Sequence, residues 1–161
     1  MNATPLPAAL EVRELLEGLL GRNVSAIIGT GMVDPGQHPG AVVGVYVDDM
    51  LKLRALIVMD LPLACHVGAA IALLPAATAR EAADQGLMTP ALYDNTAEIL
   101  NVAASLFNNA NAPHVRLYEA HAPRETLPAD VAKRVTAYVR RLDMELEVEG
   151  YGSGRISVAV I

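Results

Sequence analysis

Asp94, Glu98 and Asn101 are the residues of this chain whose types and spacing could do chemistry. They stand as Asp-x-x-x-Glu-x-x-Asn within the segment from Leu92 to Asn108. On a helix, steps of four and three residues keep side chains on one face. At about 100° per residue, Asp94, Glu98, Asn101, Ser105 and Asn108 fall within an arc of roughly 80°. Leu92, Ile99, Val102, Ala103, Leu106 and Ala110 are expected opposite. An amide such as Asn101 can donate to one water and accept from it, and so aim that water for in-line attack on phosphorus. A neighbouring carboxylate can hold a cation on the substrate and fix the geometry. Phosphoryl transfer gains mainly from positioning and charge stabilisation, so two residues on a rigid helix can suffice. No Lys or Arg lies between Arg80 and Arg116. Such a device would borrow its cations and its metal from the target. The residues alone leave a second reading open, since any amphipathic helix turns acids and amides to solvent.

Other chemistry-bearing residues give weaker patterns. His114, Glu119 and His121 could be imagined as metal ligands, but their spacing is loose and no cysteine joins them. His66 falls in an apolar helix, as expected of a hydrogen-bonded core histidine. Gly150-x-Gly-x-Gly and Gly29-Thr30-Gly31 match no phosphate-binding fingerprint and are expected to be a hairpin turn and a loop entry. Cys65 has no base or basic group beside it in sequence, which predicts inert packing.

The elements that would position the row can be read in order. Leu10, Leu15, Leu16, Leu19 and Leu20 recur at helical spacing over Ala8 to Leu20, and Gly21 stops them. Val24 to Thr30 reads as a strand, followed by a loop dense in turn residues from Asp34-Pro35-Gly36 to Pro39-Gly40. Two strands, Ala41 to Val47 and Leu51 to Met59, flank a tight turn at Asp48-Asp49. An Ala-rich helix (Leu63 to Leu74), an acidic connector (Ala79 to Gln85) and a long helix from Pro90 to Asn109 follow, the last capped by Thr89. His114 to Glu119 reads as a strand and Leu127 to Asp130 as a connector or short helical turn. Leu142 to Val148 and Arg155 to Ile161 form a closing hairpin turned by Gly150 to Gly154. Hairpins imply an antiparallel sheet with helices packed on one face, an α+β layout, and no linker divides residues 1–161.

Composition narrows the function classes. The chain has 161 residues, enough to bury a core without disulfides or metals, and 53% are hydrophobic. The formal charge is −6 and the 12 Lys and Arg form no long basic stripe, which argues against nucleic acid as a partner. From Leu61 to Ala79, 19 residues lack any Asp, Glu, Lys or Arg. Pro62, Pro75 and the alanines there predict a buried helix rather than a membrane span. A single cysteine and an N-terminus without a basic n-region fit a reduced, cytoplasmic setting.

The motif Asp94-x-x-x-Glu98-x-x-Asn101, with Pro123 some way on, resembles the signature of the CheC/CheX/FliY family, phosphatases of the phosphorylated chemotaxis response regulator CheY. The order of elements resembles that of a CheX-like domain over most of the chain, with one motif copy. The resemblance implies a CheC-like fold and a phosphorylated receiver-domain partner. It gives Asn101 the task of orienting the attacking water and Glu98 that of pairing with a receiver lysine. It places Asp94 and Ser105 at the partner surface. It further implies a homodimer with no cofactor of its own, the magnesium being the receiver's. Ala104-Ser105 stand where the family usually has a glycine soon after the asparagine, and Asp48-Asp49-Met50 replace glycines of the strand turn. A non-catalytic CheX-like adaptor module is the alternative.

Overall fold

The computed structural model describes residues 3–161. Six strands, β1 (Val24–Ile28), β2 (Ala41–Asp48), β3 (Leu53–Asp60), β4 (Val115–His121), β5 (Arg140–Val148) and β6 (Gly152–Val160), form one sheet in the order β1-β5-β6-β3-β2-β4. Every neighbouring pair is antiparallel. The helices are α1 (Ala9–Leu20), α2 (Leu61–Ile71), α3 (Ala76–Gln85), α4 (Pro90–Val102) and α5 (Ala129–Arg134). This is an α+β fold.

Side-chain alternation divides β2 between two cores. Val42 and Tyr46 face α1, α2 and α4, with Leu16, Val67, Ile99, Leu100 and Phe107. Val43, Val45 and Val47 face away and meet Val33, Val131 and Val135. The long helices therefore cover one face, as expected, while short α5 and the loop after β1 cover part of the other. This double cover leaves all of β2 buried, and it reads as a nearly unbroken apolar run.

Helix α2 lies deepest, with Leu63 to Ala70 buried on all sides between the sheet, α3 and α4. Asp60 starts it by accepting from the Leu63 N–H at 3.0 Å, with Pro62 in the first turn. Pro75 lies beyond its end. The helix has ended at Ile71, and Pro75 instead precedes α3. The segment expected as an acidic connector is α3 itself. Its buried stripe is only Ala79 and Ala82, too small a hydrophobic signal to register as helical periodicity.

The glycine run Gly150 to Gly154 is also reassigned. Only Gly150 sits in the turn, at φ 80°. Gly152 and Gly154 belong to β6 and lie beneath α2. A Cβ at Gly154 would stand 2.5 Å from the Leu63 nitrogen, and one at Gly152 2.5 Å from His66 Nε2. The missing side chains let α2 rest on the strand.

The β2–β3 connection is a four-residue loop held by Asp48, which is 4% exposed. Its carboxylate accepts from the Met50 and Lys52 N–H groups at 2.9 and 3.0 Å and from Arg54 Nε at 2.7 Å. The Lys52 N–H and the Arg54 guanidinium hold this carboxyl below its ordinary range.

Candidate functional site

Helix α4 begins where Thr89 accepts from the Leu92 N–H, with Pro90 in the first turn. It is shorter than its periodicity predicts. The α-helix ends at Val102 and tightens into a 3-10 turn over Ala103–Phe107. Asp94, Glu98, Asn101 and Ser105 are all exposed, on one side of this continuous rod. Leu92, Thr96, Ile99, Leu100, Ala103 and Phe107 are buried on the other. Val102 and Ala110, expected on the dry side, are exposed.

Asn108 does not join the row. Its amide donates to the Ala104 and Val115 carbonyls at 3.1 and 2.8 Å, and its oxygen accepts from the Val115 N–H at 2.7 Å. The change from α to 3-10 winding rotates the last turn relative to a uniform helix, and Asn108 becomes the clasp that starts β4.

Four side chains, none of them singled out from sequence, fix how the row is presented. Tyr93 donates to the Ala120 carbonyl of β4 at 2.9 Å. Asn95 donates to Gly68 O at 3.0 Å and Thr96 to Ala64 O at 2.8 Å, both on α2. Tyr46 of β2 donates to Leu100 O at 2.6 Å, and its ring tilts against Phe107 with centroids 5.0 Å apart. Helix α4 is thus tied to α2, β2 and β4. At Gly68 a Cβ would stand 2.6 Å from Leu92 O and 2.8 Å from Thr96 Oγ1, so the α2–α4 approach needs glycine there. A signal did exist for Thr96: it is a polar residue in the middle of the dry stripe, which calls for a buried partner.

On the outer side none of the hydrogen bonds or ion pairs among the described residues engages the side chain of Asp94, Glu98 or Asn101. Among the described residues no ion pair includes Asp94 or Glu98. The nearest Lys or Arg residues in sequence are Arg80, on α3, and Arg116, on β4. Two carboxylates and an amide without protein partners form a surface that attracts a cationic group and can order water. No three His, Cys, Asp or Glu side chains converge as metal ligands among the described residues.

The remaining candidates separate. His121 is buried between Glu119 Oε1 at 3.3 Å and Glu125 Oε1 at 3.2 Å. His114 precedes the far end of β4, roughly 20 Å away at strand spacing, so the three imagined ligands do not meet. His66 is buried, and desolvation pushes its basicity down. Cys65 is buried and its thiol is pushed up to about 12, chiefly by burial. Gly29 and Gly31 fall in the loop after β1, as expected. Pro123 is half-buried, its Cβ 3.2 Å from where a Cβ on Gly40 would lie. A cavity of about 530 Å³ opens between Asp34, Arg124, Leu127 and Val135, and no residue of the row lines it.

No protein-family model and no curated protein matches the chain. Solved structures do resemble it. The FliM middle domain of Vibrio alginolyticus is 17% identical, with TM-score 0.46, covering 95% of this chain and 87% of that one. FliY of Thermotoga maritima is 14% identical, with TM-score 0.42, over 92% and 81%. The Borrelia burgdorferi CheX-CheY-BeF3-magnesium complex supplies a third, 11% identical, with TM-score 0.44, over 91% and 90%.

Proposed function

We propose that this protein hydrolyses the aspartyl phosphate of a response-regulator receiver domain. The observation that carries the reading is the exposed, unpaired row of Asp94, Glu98 and Asn101 on a helix anchored from three sides. The motif's resemblance to the CheC/CheX/FliY signature supplies the target class. Glu98 pairs with a lysine of the receiver, and Asp94 and Ser105 border the contact. Glu98 and Asn101 lie three residues apart, about 4.5 Å along the helix axis, so docking at Glu98 carries Asn101 into the receiver's active site.

There the Asn101 amide accepts a hydrogen bond from one water and donates one to its oxygen. That water attacks phosphorus in line, and the bond between phosphorus and the aspartyl oxygen breaks. Inorganic phosphate leaves and the receiver's carboxylate is restored. The proton of the attacking water departs with the phosphate and solvent. The receiver contributes the magnesium and the cations that stabilise the transferring group. This chain contributes position, and it routes no step through a metal of its own. The working form is a single-domain homodimer in the cytoplasm.

Phosphate release from a phosphorylated receiver tests the reading. Wild-type protein is expected to accelerate release, and Asn101→Ala to lose at least about 100-fold of the stimulation. A wild type that binds the receiver without accelerating release is an adaptor module, and that result overturns the enzymatic reading.

A further inference from the structure

One end of the sheet combines features that the row and its chemistry do not use. The β2–β3 loop, the start of β4, the start of β5 and the end of β6 all lie there. Asp48 pairs with Val115, Arg140 pairs with Val160, and the Ile161 N–H donates to Arg54 O. The chain leaving α5 reaches the same end, where Arg141 donates to the Ala137 and Val135 carbonyls. Lys52, Arg116 and Arg140 are exposed there, against the exposed acid Asp49. Arg54 and Arg141 are each paired, with Asp48 and Asp143. Three cations outside any ion pair among the described residues, of which Arg140 donates to the Thr4 carbonyl, against one carboxylate leave this end at +2, on a chain of formal charge −6.

Apolar side chains project from the same end. Tyr138 is 98% exposed, Met50 86% and Leu51 57%. Leu51 holds φ at 61°, a left-handed backbone that a leucine adopts only at a cost, and the Asp48 hydrogen bonds keep the loop in that form. The two tips flank β5, β6 and β3, adjacent strands, so they stand about 10 Å apart.

We propose that this end docks on an anionic phospholipid surface. The cations approach the headgroups while Met50, Leu51 and Tyr138 enter the interfacial layer. Charge complementarity selects an anionic occupant. Shape favours a lipid surface over an acidic protein, because the apolar groups stand on separate projecting turns. A rigid partner would need a matching hollow for each, whereas a headgroup layer admits any of them. The surface is independent of the row on α4, so either assignment can fail without the other.

The test is co-sedimentation with vesicles of phosphatidylcholine alone and of phosphatidylcholine mixed with phosphatidylserine. Wild-type protein is expected to pellet with the mixed vesicles only and to be released by salt. Lys52→Gln with Arg116→Gln should weaken that binding by roughly tenfold or more, and Met50→Ser with Tyr138→Ser by about tenfold. All four positions are exposed, so circular dichroism should be unchanged. Binding to neither vesicle, equal binding to both, or unaltered binding by both variants overturns the proposal. So does capture of soluble polyglutamate without vesicle binding, which would assign the surface to an acidic polypeptide.

Discussion

Glu98 and Asn101 have different tasks in the proposed hydrolysis, and the difference is measurable residue by residue. Glu98→Ala should weaken receiver affinity, while Asn101→Ala should leave affinity within a few-fold and remove turnover. Both side chains are exposed and unbonded, so each variant should unfold within about 0.5 kcal/mol of wild type. Equilibrium binding, single-turnover release and denaturant melts separate these effects. Asp48 gives a pH prediction. Its folded carboxyl is held below the ordinary carboxylate value, first by the Lys52 N–H and then by Arg54. Its stabilisation is therefore complete above about pH 4 and is lost as pH falls through the folded-state value. The stability gap between wild type and Asp48→Asn should close on acidification over that range, and a gap that widens would contradict the assignment. At this scale the exposed row was legible because it follows local helical spacing. Asn108 was misread because a shift to 3-10 winding leaves no mark in residue type. Tyr46, Tyr93 and Asn95 went unread because their partners lie 27 or more positions away.

Between elements, the contact that matters most is that of α2 with α4. Gly68 lets the helices approach until Leu92 O occupies the space a methyl group would need. Backbone cannot yield as a flexible side chain does, so Gly68→Ala should cost about 1–3 kcal/mol and tilt α4 away from α2. Phosphate release should fall with it although Gly68 is remote from the exposed row. An undiminished melting temperature would refute the close approach. Most strands and the amphipathic α1 could be read from alternation and periodicity. Helix α3 could not, since its buried stripe is two alanines, and Gly152 and Gly154 were credited to a turn because their role depends on a helix some ninety residues earlier.

The whole molecule is one sheet with a core on each face, and β2 is shared between the cores. Such sharing predicts a single cooperative unfolding transition, with far-ultraviolet dichroism and tyrosine fluorescence superimposing in denaturant. Two separated transitions would divide the chain into independent units. The charge is divided as well: one end of the sheet is positive while the α4 row is acidic and unpaired. Composition revealed the net charge but not this separation. The basic residues are scattered along the sequence and are gathered only by the antiparallel register.

The most direct measurement is the decay of a preformed phosphoreceiver mixed with saturating Asn101→Ala protein, followed beside wild type. The variant is expected to bind while the receiver decays at its intrinsic rate. Decay as fast as with wild type would place the water-orienting group elsewhere and contradict the role given to this face of α4.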